Sequence, residues 1–176
     1  MNNLEIKKYP DPVLRKKCEE VEEITPEVKK LIEEMVLAMG KDKGMGLAAP
    51  QVGISKKIIV FETGNGVTAL INPKITKRGE KQFIDSEGCL SFPDLWIKIK
   101  RPEKIEVEAL DITGRKIGLA ASMMVSRVLQ HEIDHLNGIL FIDRLGLLDK
   151  IRIRNKLNAL KKKYAGSKSG AKADEK

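Results

Sequence analysis

Apolar residues recur at two different periods along the chain, and the change of period marks out its elements. Leu31, Met35 and Met39 fall every four residues with Ile32 and Val36 beside them, which predicts an amphipathic helix to about Met39. Thr25-Pro26-Glu27 supplies its start: a capping hydroxyl, a proline in the first turn and an acid near the positive end of the helix dipole. β-Branched and apolar runs then predict strands over 58–61, 67–71 and 96–100. Ile105-Glu106-Val107-Glu108-Ala109 alternates strictly, the pattern of a strand with one buried face. Thr113-Gly114 suits a hairpin turn into a strand over 116–119. Ser122 can cap a helix to Asn137, stopped by Gly138. A last helix is predicted over 148–164, with Ile151, Ile153, Leu157 and Leu160 as its apolar positions, and the arm at 9–14 reads as extended chain turning into a short helix. Strands in the middle and helices towards the ends favour α+β over alternating βαβ units.

Composition narrows the class. A chain of 176 residues is one domain by size. No apolar run approaches the ~20 residues that span a bilayer. Residues 1–15 carry no apolar core of an export signal, and two cysteines are too few for a disulfide framework, so a cytoplasmic location without membrane contact is expected. The net charge of +8 is not spread over the chain: residues 150–176 hold ten basic and two acidic side chains, and residues 1–149 are balanced. This is a neutral body with a basic extension. Such an extension is either a solvated surface helix or a contact for a phosphate-rich partner. Direct sequence-specific binding of nucleic acid is not expected, since aromatic residues make up only 4% of the chain.

The chemistry is concentrated in His131-Glu132-Ile133-Asp134-His135, which contains both histidines of the chain. Two His four apart on a helix share one face, with Cβ atoms roughly 5–6 Å apart, a spacing that two imidazoles can use on one metal ion. Glu132, one step round, is placed to reach a water on that ion. A catalytic site usually takes a third protein ligand. The position where one peptidase pattern places a third His is Phe141, and no Glu lies between Glu132 and Glu175. Asp143, Asp149 and Cys89 remain as candidates. Cys89 follows Glu87-Gly88, where a glycine permits close backbone approach, although a small buried thiol is an ordinary reading of a lone cysteine. Cys18 lies among charges and reads as structural or exposed. Residues 44–53, small and glycine-rich, lack the lysine of a phosphate loop. They read as a tight turn on the core or as a wall against a substrate.

Taken together, Gly44-Met45-Gly46-Leu47-Ala48-Ala49-Pro50-Gln51-Val52-Gly53, Glu87-Gly88-Cys89-Leu90-Ser91 and Gln130-His131-Glu132-Ile133-Asp134-His135 resemble, in order, the three motifs of the peptide deformylases. The resemblance covers about residues 4–148. It implies an α+β fold of antiparallel sheets around a central helix carrying the HExxH pattern, with a catalytic domain over 1–148, a basic C-terminal helix over 149–164 and a disordered basic tail over 165–176. It also implies removal of the formyl group from the N-terminal formyl-methionine of nascent polypeptides, with release of formate through a metal-bound hydroxide. Cys89, His131 and His135 would hold one divalent metal, Fe²⁺ in the cell, with Zn²⁺, Ni²⁺ or Co²⁺ accepted. Glu132 would be the general acid/base, and Gln51 with the backbone N–H of Leu90 would stabilise the oxyanion. Met45, Gly46, Met124 and Val128 would bind the substrate. Glu87 and Arg101 would pair to hold the Cys89 turn, and the basic C-terminal helix would offer a contact to the ribosome. Two departures from the family pattern stand out: Met123 replaces a common glycine, and Asp94-Leu95-Trp96 alters the substrate rim. The competing readings are an HExxH peptidase that cuts internal peptide bonds and a ribosome- or nucleic-acid-binding module stabilised by metal.

Overall fold

The computed structural model describes residues 4–165. Helix α1 (Pro26–Lys41) begins at Thr25, whose side chain accepts from the Val28 N–H. Strands β1 (Gly46–Ala48), β2 (Ile58–Glu62) and β3 (Val67–Arg78) follow, then β4 (Gln82–Cys89), β5 (Phe92–Pro102), β6 (Lys104–Leu110) and β7 (Lys116–Ser122), and helices α2 (Met123–Leu136) and α3 (Leu147–Tyr164) close the chain. Single 3₁₀ turns lie at Pro12–Arg15, Ala49–Val52 and Phe141–Arg144. Five strands form an antiparallel sheet in the order β1-β2-β3-β6-β7, and β4 pairs with β5 as a separate antiparallel hairpin.

The run Ile58-Ile59-Val60-Phe61 is apolar throughout because both faces of β2 are covered. Ile58 and Val60 pack with Ile32, Met35 and Met39 of α1. Ile59 and Phe61 pack with Leu129, Ile133 and Leu136 of α2, together with Ile105 and Val107 of β6. The sheet is thus held between two helices, and each buried aliphatic side chain contributes roughly 1.5–3 kcal/mol. A third cluster joins Phe92, Leu95, Ile97 and Ile99 of β5 to Leu14, Leu140 and Phe141, with Ile153, Leu157 and Leu160 of α3 against it. This arrangement leaves α2 without a solvated face: every residue from Leu129 to Leu136 is buried, charged ones included.

Strands β1 and β4 are additions to the sequence reading, which took 44–53 as turn or wall and left 82–89 unassigned. β3 and β5 also run longer than expected. Gln82-Phe83-Ile84-Asp85-Ser86-Glu87 has no two-residue alternation, and β4 is a strand because its backbone pairs with β5. Cys18, expected to be structural or exposed, is structural: it is buried beside Leu136, and burial pushes its thiol up to about 11. Among the described residues no helix is long and apolar enough to cross a membrane. The tail expected over 165–176 lies, beyond Ala165, outside the described residues.

Candidate active site and metal centre

Three side chains from two elements converge on one point. Helix α2 presents His131 and His135 one turn apart, and the end of β4 brings Cys89 across to them. Their donor atoms all lie within 4.8 Å of one another, with Cys89 Sγ 3.3 Å from His135 Nε2. Metal–ligand bonds of about 2.0–2.3 Å arranged tetrahedrally put neighbouring donors roughly 3.5 Å apart, so the cluster fits one ion. Asp143 and Asp149, the other candidates for a third ligand, are engaged elsewhere. Asp143 pairs with Arg15 and accepts from the Leu140 N–H, and Asp149 pairs with Arg152. Phe141 fills the place of a third His with a core side chain stacked edge-on to Phe92.

The ligands are oriented from behind. His131 Nδ1 lies 3.1 Å from Glu87 Oε2 and donates to it, which leaves Nε2 as the lone-pair donor. Glu87 in turn accepts from Arg101 Nε at 2.6 Å and Nη2 at 2.9 Å, and from Arg127 Nη1 at 2.5 Å. Arg101 also donates to Asp134 at 2.8 Å, and Asp134 accepts from Arg144 Nε at 3.1 Å. Burial acts to raise the Glu87 carboxyl, but the bonds from His131 and Arg101 and the Arg101 charge outweigh it and hold the group at about 2. Burial likewise pulls His131 down, yet its bonds to Cys89 and Glu87 raise it well above the usual range. His135 is driven well below that range, by burial first and then by the neighbouring His131. The Glu87–Arg101 pairing follows the expectation. Arg127, Asp134 and Arg144 had no role in the sequence reading, because their partners on the hairpin and in the 3₁₀ turn meet them only through packing.

Three buried side-chain atoms here have no hydrogen-bond partner among the described residues, Arg127 Nε, Glu132 Oε2 and His135 Nδ1. An orphaned buried acceptor costs about 1–3 kcal/mol, which marks Glu132 as a group kept for another partner. Burial pushes its carboxyl up to about 7. Gly46 makes room for it: a Cβ at that position would stand 2.6 Å from Glu132 Oε1 and 2.8 Å from Val128 Cγ1. Gln51, at the 3₁₀ turn after β1, is buried and doubly tethered. Its Oε1 accepts from the Ala48 N–H at 2.8 Å, and its Nε2 donates to Ser91 Oγ at 3.3 Å and lies 3.5 Å from Cys89 Sγ. Ser91, at the end of the Cys89 motif, thus holds the Gln51 amide in place, a role the motif alone did not show. Leu90 follows Cys89 at the hairpin turn, and Lys8 Nζ donates to its carbonyl at 2.8 Å.

These groups stand along a cleft of about 510 Å³. Gln51, Cys89, His131 and Glu132 line it, as do Met45, Gly46, Leu90, Met124 and Val128. The β4–β5 hairpin contributes Gly88 and Trp96. Gly88 serves a purpose other than the metal turn read from sequence. A Cβ there would stand 3.0 Å from three ring atoms of Trp96, so the glycine seats the indole.

A cysteine sulfur and two imidazoles within 4.8 Å of one another, with a buried carboxyl beside them that has one unpartnered oxygen, suit a hydrolytic metal centre. The family model for polypeptide deformylase matches residues 3–150. The chain belongs to this family. A peptide deformylase of Thermodesulfovibrio yellowstonii is 45% identical over 163 residues, covering 90% of this chain and 98% of that one. A chloroplastic/mitochondrial peptide deformylase of Arabidopsis thaliana is 42% identical over 168 residues, 92% of this chain and 61% of the longer relative. The crystal structure of a plant peptide deformylase superposes with a TM-score of 0.89 at 41% identity, covering 93% of this chain and 92% of that chain. This deformylase is therefore an enzyme of the α+β class and a metal-dependent hydrolase.

Proposed function

We propose that this deformylase hydrolyses the N-terminal formamide of formyl-methionyl polypeptides, with Cys89, His131 and His135 holding one divalent ion. The observation that carries the assignment is the buried S/N/N cluster with an unpartnered Glu132 carboxylate beside it in an open cleft. When bound, the ion acts as a Lewis acid and makes hydroxide available near neutral pH. Glu132 takes the proton of the attacking water and delivers it to the amine nitrogen as the C–N bond breaks, leaving formate and a free amino terminus. Gln51 Nε2 and the Leu90 N–H donate to the oxygen on which charge develops, and one such donor is typically worth ~2.7–4 kcal/mol. Met124 and Val128, one turn apart on α2, take the methionine side chain, and Met45 and Gly46 form the facing wall.

The ion assigned in the cell is Fe²⁺, and the same donor set accommodates Zn²⁺, Ni²⁺ or Co²⁺. The cytosol is the proposed setting, with nascent chains as substrates. Helix α3 places Lys156, Lys162 and Lys163 in solvent while its apolar side packs on the third cluster, which supports docking on ribosomal phosphate. Replacing these three lysines by Gln should abolish pelleting with ribosomes at low salt, and unchanged pelleting contradicts the docking. For the centre itself, anaerobically purified protein should carry one iron per chain, and Cys89→Ala should carry none at equal folded yield. Full metal content in that variant would remove Cys89 from the ligand set.

The peptidase reading loses its third ligand, because Phe141 is core. A purely structural metal would be closed by a fourth protein ligand, whereas this cluster opens on the cleft.

A further inference from the structure

Residues 7–9 form an arm ahead of α1, and each of the three binds a segment that carries an oxyanion donor. The Lys7 N–H donates to the Gln51 carbonyl at 2.7 Å, and the Tyr9 N–H donates to the Ser91 carbonyl at 2.9 Å. Between them, Lys8 Nζ donates to the Leu90 carbonyl at 2.8 Å. The arm is anchored on both sides of this stretch. Ile6 is buried in the same cluster as Ala49 and Val52, next to Gln51 in the chain, and the Tyr9 ring stacks on Phe92 with 4.8 Å between centroids.

The side chain of Lys8 is used unlike those of other lysines. Lys56, Lys57, Lys77 and Lys81 pair with carboxylates, whereas the half-buried Lys8 stands on the cleft and donates to a neutral main-chain oxygen. A charged donor makes a bond roughly twice as strong as a neutral one. Leu90 and Ser91 are the two residues that join β4 to β5, directly after the ligand Cys89. Peptide planes are rigid, so the bonds from Lys8 and Tyr9 fix the plane on either side of Ser91. The plane that bears the Leu90 N–H is then caught between the end of β4 and the plane that Lys8 holds. The Leu90 side chain is seated as well: it packs on the first core cluster, and a Cβ at Gly44 would stand 2.8 Å from its Cδ1.

We infer that Lys8 is a positioning residue for the reaction: its ammonium holds the Leu90 carbonyl and so aims the Leu90 N–H at the oxygen on which charge develops. The inference rests on the deformylase reading of the same site. Charge on that oxygen is greatest in the transition state, so a misdirected donor lowers kcat and leaves substrate binding nearly unchanged. Removing an entire oxyanion donor costs about 10²–10³ in kcat. Loss of its aim, with the donor still present, should cost on the order of tenfold.

The test is steady-state release of formate from formyl-Met-Ala by metal-loaded Lys8→Met and Lys8→Arg, well below the thermal midpoint of each. Methionine keeps most of the apolar stem and removes the donor, and arginine keeps a cationic donor. Lys8→Met should lower kcat about tenfold with KM within about twofold of wild type and full metal content, and Lys8→Arg should recover most of kcat. In zinc-loaded protein the Leu90 amide resonance should move in Lys8→Met and stay near its wild-type position in Lys8→Arg. A normal kcat or an unmoved Leu90 resonance in Lys8→Met overturns the inference. A raised KM at normal kcat overturns it too, since Lys8 would then be a substrate contact. So does a fall in kcat matched by an equal loss of metal, or a fall as deep in Lys8→Arg. Failure of wild type to release formate strikes the deformylase reading itself and is distinguishable from all of these.

Discussion

At the scale of single residues, the centre is defined by what its atoms lack. Glu132 has one carboxylate oxygen buried with no partner, on a helix where the neighbouring charges are paired. Its assigned work is proton transfer, and a positioned acid/base typically contributes 10²–10⁴-fold. Glu132→Gln preserves shape, so the variant should retain one metal per chain and lose about 10²–10⁴ in kcat, as read by metal analysis beside formate release. Near-normal turnover would remove Glu132 from the chemistry. Much at this scale was legible in the sequence: the HExxH spacing named three residues at once, because i and i+4 share a helical face. Cys89 was not decidable from its neighbours. The two histidines come more than 40 residues later and meet it only through the packing of the hairpin on α2. Met123, by contrast, stood out as a departure, and the backbone accounts for it. Its φ is +52°, in the left-handed region where glycine rests without strain.

At the scale of elements, buried ion pairs make a loose hairpin rigid. β4 and β5 stand apart from the main sheet, and two buried arginines join them to α2. Arg101 sits on β5, holds Glu87 of β4 by two bonds and reaches Asp134 on α2. Removing one partner of such a buried network costs about 3–5 kcal/mol, because the remaining charges stay buried and uncompensated. Arg101→Ala should therefore lower stability by about that amount in denaturant unfolding. It should also weaken metal affinity by 10–100-fold through the loosened Glu87–His131 bond. A loss of stability without any loss of affinity would show that the network supports the fold and not the centre. Elements with a clear period were readable in advance. β2 and β6 were expected from apolar runs and alternation, and α2 begins and ends within one residue of its expected limits. β1 and β4 were not, since their strand character comes from backbone pairing and not from side-chain pattern.

At the scale of the whole molecule, the same charges set the pH range of stability. Glu87 is held at about 2, below its ordinary value near 4.5, so its contribution is complete above 4.5 and is lost as pH falls towards 2. Cys18 is raised from about 9 to about 11, so the unfolded chain ionises first and stability is lost as pH rises from 9 to 11. Thermal midpoints should decline as pH falls from 4.5 towards 2 and as it rises from 9 towards 11. Cys18→Ala should flatten the alkaline limb whatever it does to the midpoint at neutral pH, and an unchanged alkaline slope would contradict the assignment. The +8 charge has no part in either limit, because its excess lies in the terminal segment beyond residue 149. The neutral body contains the cluster, the cleft and the buried network.

The central claim, that a Cys89–His131–His135 ion makes this chain a deformylase, is tested most directly by formate release from formyl-Met-Ala. Metal-loaded protein should release formate, a chelator should abolish the release, and one equivalent of divalent metal should restore it. No release from protein proven to hold one ion per chain, or release indifferent to the chelator, would contradict the claim.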